Sequence, residues 1–139
     1  MKNLLILFSL IFVLVITGWS IPKGVAQNNT LQGTITAIEQ SIGKSDAQGL
    51  SKYFDTYVEV TINDVETTYP KTQAAFVLKE FFMNNKLQSF HILHQGSSAN
   101  TYYAVGEYNS SQGKFDANLF LKKIGGSFFI EQIRFEKEK

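Results

Sequence analysis

Apolar and polar residues alternate with a period of two over four segments in the second half of the chain. Because successive side chains of a strand point to opposite faces of its sheet, this period predicts half-buried β-strands. The connections are short and rich in Gly and Ser, the first of them at Gly96–Ser98, so neighbouring strands must be antiparallel. The sequence therefore predicts an antiparallel meander. Its strands are Leu87–Gln95, Tyr102–Tyr108, Lys114–Lys123 and Ser127–Glu136.

In the last of these strands the alternation slips by one residue. Phe128 and Ile130 share one phase, whereas Ile133 and Phe135 take the other. A β-bulge inserts one extra residue into a strand and would restore a common apolar face. We therefore expect a bulge near Glu131–Gln132.

Helical spacing marks three stretches in the first half of the chain. The first ends where Gly43 would stop a helix, and the second begins after Ser45, which can cap it. The third carries Pro70 in its first turn, where the missing N–H costs nothing. The apolar stripes are Leu31, Ile35, Ile38 and Ile42; Ala47, Leu50, Tyr53 and Phe54; and Ala74, Val77, Leu78, Phe81 and Phe82.

A hairpin is expected between the second and third helices. Val58, Val60 and Ile62 alternate with more polar residues, as in a half-buried strand. Asn63–Asp64 suits a two-residue turn because both residue types tolerate positive φ. A short returning strand, Val65–Tyr69, follows this turn.

The expected order is thus two helices, a hairpin, a third helix and the four-stranded meander. Helices must cover one face of such a sheet so that its apolar side chains leave water. The fold class predicted from the sequence is α+β, with three helices packed on a strongly curved, mainly antiparallel sheet.

The N-terminus carries the pattern of a secretory signal peptide. After a short positive start, Leu4–Ile16 is an almost unbroken apolar run, and Gly24–Ala26 supplies small residues at the exit. This predicts residues 1–26 as a cleaved signal peptide and a periplasmic or extracellular protein without further membrane contact. An uncleaved anchor stays open, because Leu4–Ile21 is almost long enough to span a bilayer.

One domain remains after cleavage. Removing 26 of the 139 residues leaves 113, enough for a single domain over residues 27–139. The absence of cysteine excludes disulfides, thiolate metal sites and a lipid anchor of the bacterial lipoprotein kind. Without Lys2 and Lys23, the remaining domain has 11 of the 13 basic residues and 12 acidic ones. The basic residues are not clustered on one surface, so we expect no nucleic-acid partner.

The order of elements resembles that of the nuclear-transport-factor-2-like superfamily, whose three helices and curved sheet form a cone with an open mouth. Several short stretches also resemble an exported Bacteroidetes family of unknown function. The resemblance covers the whole mature chain and implies the fold, export and no established reaction. The stretches are Tyr69–Ala74, Val77–Phe82, Gly96–Ser98 before Tyr102–Tyr103, and Gly113–Phe115.

Enzymes of that superfamily, such as steroid isomerases and polyketide cyclases, place an Asp or His base on the inner wall of the cone. Phe90 and Ile92 mark the inward phase here, so His94 is expected to point inward and His91 outward. A histidine has a pKa near the operating pH without tuning. His94 lacks an orienting carboxylate, however, and a lone histidine at a strand end is more often structural. The sequence therefore favours a non-catalytic domain.

No other pattern of catalytic or metal-binding residues is present in the sequence. His91 and His94 are expected on opposite faces of one strand, which does not suit two ligands of one metal. The chain has neither a Gly-x-Ser-x-Gly elbow nor a Gly-rich phosphate loop. We therefore expect no metal and no cofactor.

The 12 Phe and six Tyr residues are the compositional feature that rises above background. Most are expected in a close-packed core. The alternative to a filled core is a hollow cone, in which Tyr102 and Tyr108 would place hydroxyls at the mouth and, with His94, line a pocket for a small apolar ligand. The outer sheet face would be aromatic, which suits self-association or a protein partner. Its residues would be Tyr57, Glu59, Tyr103, Glu107 and Phe120.

Three functions stay open at this point. The missing catalytic dyad and the aromatic sheet favour an exported, non-catalytic domain that binds a small ligand or a protein, or forms a homodimer through the sheet face. The second function is a small enzyme of the isomerase or cyclase type, with His94 as base in an apolar pocket. The third is a structural subunit of an envelope complex.

Overall fold

The computed structural model describes residues 30–139, so the signal-peptide prediction and residues 27–29 lie outside the described residues. Helices and strands follow in the expected order, α-α-β-β-α-β-β-β-β. The helices are α1 (Leu31–Gly43), α2 (Ala47–Ser51) and α3 (Lys71–Asn84). The strands are β1 (Phe54–Ile62), β2 (Val65–Pro70), β3 (Leu87–Ser98), β4 (Thr101–Ser110), β5 (Gly113–Ile124) and β6 (Ser127–Lys137).

The end of α1 is built differently from the expectation. Gly43 is its last helical residue, and Ser45, at φ 53°, takes the left-handed conformation instead. The amide of Ser45 donates to the Ile42 carbonyl, and that of Asp46 donates to the Ser41 carbonyl. This pair of bonds closes a helix with the left-handed residue two positions beyond the last helical one, so Gly43 is not the stop.

Helix α2 is capped and bounded differently as well. Asp46, not Ser45, is its N-cap, and its carboxylate accepts a 2.9 Å hydrogen bond from the Gly49 amide. Phe54, expected on the inner face of this helix, is instead the first residue of β1 and is buried. The cause is the sheet, since the carbonyl just before it, of Tyr53, accepts a hydrogen bond from the Ile130 amide in β6.

The hairpin and its turn are confirmed. Asn63 and Asp64 have φ of 48° and 66°, the pair of positive values that a type I′ turn requires. The amide of Asn63 donates to the Phe135 carbonyl and that of Asp64 to the Glu136 carboxylate, both over 3.0 Å. The tip of the hairpin is therefore anchored on β6. Pro70 ends β2 and precedes α3 rather than lying in its first turn.

The strands form one six-stranded sheet in the order β2-β1-β6-β5-β4-β3. Only the β1–β6 pair is parallel within residues 30–139. The helices cover one face, here called the inner face, and a single apolar core lies between them and the sheet. The α+β fold class is thus confirmed, and the opposite side of the sheet is called the outer face below.

The meander matches the expected strands, with one correction at its first connection. Gly96–Ser98 lies within β3, and the turn is formed by Ala99–Asn100, with Ala99 at φ 53°. Gly96 lies opposite Tyr103, and a Cβ there would stand 2.6 Å from the Tyr103 hydroxyl oxygen and 2.8 Å from its ring, so the exposed end of that side chain would have to move.

The expected bulge in β6 is confirmed. Phe120 pairs with Gln132 and Leu121 with Ile130, which leaves Glu131 without a partner in β5. This extra residue brings the two apolar phases of β6 onto one face. Phe128, Ile130, Ile133 and Phe135 are all buried.

Candidate functional site

A second bulge, at Leu93, decides the position of His94. Ile92 pairs with Gly106 in β4 and His94 pairs with Val105, so Leu93 has no partner. Directly opposite residues share a face. Val105 lies between the buried Ala104 and Gly106 and therefore points to the outer face. The inward orientation expected for His94 is wrong, because the extra residue reverses the phase of the strand.

Gln95 takes the inner-face position instead. It lies opposite Ala104, and its side chain donates a hydrogen bond to the Gln32 side chain of α1. His94 is exposed and lines only an open cleft of about 180 Å³ between α1 and β3. That volume is below the roughly 300–1,000 Å³ typical of small-molecule sites. Its ligand-binding role stays a prediction.

Tyr108 lies in the core and not at a mouth. Its side chain is fully buried, and its hydroxyl donates a 2.6 Å hydrogen bond to the Asn85 carbonyl at the end of α3. Burial raises the pKa of Tyr108 to about 12. The phenol is therefore a buried donor, held neutral at ordinary pH.

Aromatic rings fill the space between α3 and the sheet around Tyr108. The Phe81 ring stacks on Phe135 at a centroid distance of 4.4 Å and meets Phe115 edge-on at 5.3 Å. The Tyr108 ring lies 5.4 Å from that of Phe81 and 6.1 Å from that of Phe82. Aromatic side chains thus fill this part of the cone, which is not hollow.

Tyr102 lies at the opposite end of β4, on the inner face and partly exposed. Its ring meets that of Phe128 edge-on at 4.8 Å, and the Lys123 ammonium lies 5.5 Å from the centroid of Phe128. Tyr102 and Tyr108 are therefore separated by the length of the strand and do not share a pocket. The ligand-binding role of these two residues also stays a prediction.

A larger cleft, of about 350 Å³, opens between the start of α2 and the outer side of α3. Ser45–Gln48 and four residues of α3, the exposed Phe76 among them, line it. This cleft forms where two helices meet, and no sequence motif marks it. It brings Asp46 and Lys79 together and includes no histidine.

The outer face carries the residues expected there. Tyr103 and Phe120 are directly opposite each other on β4 and β5, and Gln132 of β6 continues the same row. Tyr57 on β1 is 62% exposed, and Tyr103 is 37% exposed. Phe129 was not predicted at this surface; it lies opposite Lys122 on the outer face, because the bulge at Glu131 separates its phase from that of Ile133 and Phe135. Together these residues, Tyr57, Tyr103, Phe120 and Phe129, are called the aromatic patch below.

Further along the same face, beyond the row of Val105, Asn118 and Arg134, lies a row of carboxylates that crosses three strands. Glu107 pairs with Asp116, and Asp116 pairs with Glu136, so the three acids lie side by side. Like charges in directly opposite positions repel each other. Glu107, Asp116 and Glu136 are called the acidic row below. Alternation placed Glu107 and Asp116 on this face, but it did not predict their alignment with Glu136, because the register between strands is not visible in the sequence.

Two cations balance part of this row. The Lys114 ammonium lies 2.6 Å from the Glu107 carboxylate, and Arg134 lies 3.8 Å from that of Glu136. The hydrogen bond from Lys114, and then that from Asn109, hold the pKa of Glu107 below its ordinary value. The same ion pair raises the pKa of Lys114. Asp116, the central acid, is exposed and lies between the two paired ones.

Among residues 30–139 no three His, Asp or Glu side chains are placed to hold a metal ion. His91 lies opposite Glu107 on the outer face, as expected, but the two form a surface pair rather than a metal site. Across the same described residues no helix is long and apolar enough to cross a membrane.

Comparison with known proteins assigns the family. The model of a family described as Domain of unknown function (DUF4783) matches residues 35–136, most of the described chain. The chain belongs to the DUF4783 family. This agrees with the resemblance that the stretches at Tyr69–Ala74 and Val77–Phe82 carry. No curated protein of significant similarity was found.

Solved structures of other DUF4783 proteins are similar to this chain. One from Bacteroides ovatus is 30% identical, with a TM-score of 0.72, over 74% of this chain and 94% of that one. One from Bacteroides uniformis is 28% identical, with the same TM-score, over 75% and 96%. An NTF2-like protein of unknown function from Shewanella baltica is 14% identical, with a TM-score of 0.60, over 76% and 89%. This DUF4783 chain therefore has the NTF2-like fold.

Proposed function

We propose that this protein is an exported, non-catalytic domain that binds another protein through the outer face of its sheet. The observation that carries the proposal is the contrast between the two faces. Aromatic rings pack the inner face around Tyr108, whereas Tyr57 and Tyr103 on the outer face are exposed. Exposed aromatic surface beside charged residues is typical of protein-binding sites.

The acidic row defines the chemistry of the partner. Asp116 lies between two other carboxylates, so a cation brought to it from outside relieves their mutual repulsion. The aromatic patch lies within the same face and supplies apolar contact. The partner we propose is thus a protein surface that carries Lys or Arg beside apolar residues, and association is steered by charge.

We do not propose an isomerase or cyclase activity with His94 as base. It needs a base in an enclosed apolar pocket, whereas His94 is exposed, lies on the outer-face phase and borders only a shallow cleft. Binding at the outer face also accommodates the third alternative, because a subunit of an envelope complex would use the same surface. Cleavage before Gln27 remains part of the proposal, and the mass of the purified protein tests it.

The proposal is tested by capture on the immobilised protein from an envelope extract of the source organism. We expect one partner, identified by mass spectrometry, whose affinity falls about tenfold or more with Asp116→Lys and with Phe120→Ser. Added salt should weaken binding because it screens the acidic row. The control is Phe76→Ser, the same substitution at a surface phenylalanine on α3 that is more exposed than Phe120.

Two outcomes would overturn the proposal. One is a captured protein whose affinity is the same for wild type, Asp116→Lys and Phe120→Ser. The other is a captured protein that Phe76→Ser releases as strongly as the two outer-face substitutions do, since that would place the binding surface at α3.

A further inference from the structure

The two edges of the sheet are protected to different degrees. At the β3 edge, the Ile92 amide donates a 2.9 Å hydrogen bond to the Glu39 carboxylate of α1, and the Gln95 side chain bonds to Gln32. The bulge at Leu93 further interrupts this edge. A covering helix and a bulge are two devices that keep an edge strand from pairing with another chain.

The β2 edge has neither device. Within residues 30–139, β2 pairs with β1 alone, and every residue of β2 except Tyr69 is exposed. Its register with β1 runs without a bulge from Val65 to Pro70. The strand contains no lysine, and Glu66 is its only charged residue. Apart from Glu66 and Pro70, β2 consists of Val, Thr and Tyr, which are residues that favour strands.

The type I′ turn determines which backbone groups of β2 face outward. In a two-residue hairpin the residues flanking the turn, here Ile62 and Val65, exchange backbone hydrogen bonds. Val65, Thr67 and Tyr69 therefore direct their backbone groups to β1. The Asn63 amide agrees with this alternation, because it points the other way, to Phe135 of β6.

Glu66 and Thr68 consequently direct their N–H and C=O groups away from the sheet. Both residues are exposed. Pro70 falls on the same outward phase, where its lack of an N–H costs β1 nothing. The open edge thus offers two complete sets of backbone donors and acceptors, and an extended strand is the partner that satisfies them.

We propose that this partner is β2 of a second copy of the chain, paired antiparallel with Thr67 on the two-fold axis. Glu66 of each copy then lies opposite Thr68 of the other, and the two pairs exchange four backbone hydrogen bonds. Val65, now 69% exposed, lies opposite Tyr69 of the second copy. Such β-branched and aromatic pairs stabilise neighbouring strands.

Other registers of the two β2 strands are less favourable, because they bring carboxylates together or lose a backbone hydrogen bond. Centring the pair on Glu66 puts two carboxylates directly opposite each other, and centring it on Val65 puts Glu66 opposite Asp64. Centring it on Thr68 puts Glu66 opposite Pro70, which has no N–H to donate. Charge and hydrogen bonding therefore both select the register around Thr67.

The affinity of the two copies is limited by the small area of the strand–strand contact. One pair of six-residue strands buries much less than the roughly 1,600 Å² of a standard protein–protein interface. The dimer should therefore be weak, with a dissociation constant of about micromolar to millimolar. It would join the two sheets into one of twelve strands, since each copy contributes the six described above.

Sedimentation equilibrium of the protein purified after expression of the full chain tests the proposal. We expect a concentration-dependent dimer for wild type. Thr67→Lys and Thr67→Glu should each weaken it about tenfold or more, because like charges then meet on the axis. An equimolar mixture of the two variants should regain dimer as a heterodimer. Circular dichroism checks that both variants fold, as expected for an exposed position.

The matched control is Thr36→Lys, the same charge change at an exposed position on α1. A wild-type protein that stays monomeric at the highest attainable concentration would overturn the proposal. So would a dimer that both Thr67 variants retain. A dimer that Phe120→Ser dissociates and Thr67→Lys does not would also overturn it, by placing the contact on the outer face.

Discussion

Tyr108 illustrates how one polar group is accommodated inside an aromatic core. Its ring contributes to the packing beneath α3, and its hydroxyl finds the Asn85 carbonyl at the end of that helix. The sequence predicted the inward phase of this residue, because it shares the phase of Ala104 and Gly106 and alternates with Glu107. It did not predict the depth, because the carbonyl that accepts the bond belongs to a loop 23 residues earlier.

Removing this hydroxyl should destabilise the fold. Tyr108→Phe leaves the Asn85 carbonyl without its buried donor, which costs about 1–3 kcal/mol in the free energy of unfolding. The matched control is Tyr102→Phe, at a partly exposed tyrosine of the same strand, where we expect a change within about 0.5 kcal/mol. Urea unfolding followed by fluorescence or circular dichroism measures both. Equal effects of the two substitutions would contradict the buried bond.

The same phenol should make stability depend on alkaline pH. Its pKa in the folded protein, about 12, lies above the ordinary value of 10, so the folded state holds this proton more tightly. The resulting stabilisation is fully present below pH 10 and is lost as the pH rises towards 12. Tyr108→Phe should lose less stability over this range than wild type does. Parallel losses in the two proteins would refute the assignment to Tyr108.

At the scale of elements, the sequence predicted the features that follow from apolar periodicity or from turn-forming residues. The order of helices and strands and the bulge near Glu131–Gln132 were visible because apolar residues mark the phase on both sides. The two-residue turn at Asn63–Asp64 was visible because both residue types tolerate positive φ. The bulge at Leu93 was not visible, since the residues after it are polar or small and carry no phase signal. Because the extra residue Leu93 was not recognised, the sequence placed His94 on the wrong face of the sheet.

The ends of α1 and α2 were also not predicted correctly from the sequence. Substitutions of Gly43 and Gly49 test how these ends are built. Gly43 is helical, and a Cβ added there meets no atom within 4 Å, so Gly43→Ala should stabilise the protein by about 0.5–1 kcal/mol. A Cβ at Gly49 would collide with the capping carboxylate of Asp46, and losing this cap costs about 0.5–2 kcal/mol, which offsets the gain in helix propensity, so Gly49→Ala should be less stable than Gly43→Ala. Thermal unfolding distinguishes the two. Destabilisation by Gly43→Ala would mean that Gly43 is needed as a helix stop.

At the scale of the whole molecule, the sheet separates a packed interior from an exposed surface. The inner face was predicted well, because burial follows apolar alternation. The acidic row of Glu107, Asp116 and Glu136 was not, because it depends on the register between three strands rather than on any one of them. The open β2 edge likewise depends on sheet order, which places β2 at one end. The acidic row and the open edge are thus defined only by the assembled sheet, whereas Tyr57, Tyr103 and Phe120 were placed on the outer face by alternation alone.

The measurement that tests the central claim most directly is photo-crosslinking in the source organism from two adjacent positions. A photoreactive phenylalanine replaces Tyr103 in one variant and Tyr102 in the other, residues that point to the outer and inner faces of the same strand. The account predicts a crosslink to a partner protein from position 103 and none from position 102. Crosslinks from position 102 alone would place binding at the inner face and contradict it.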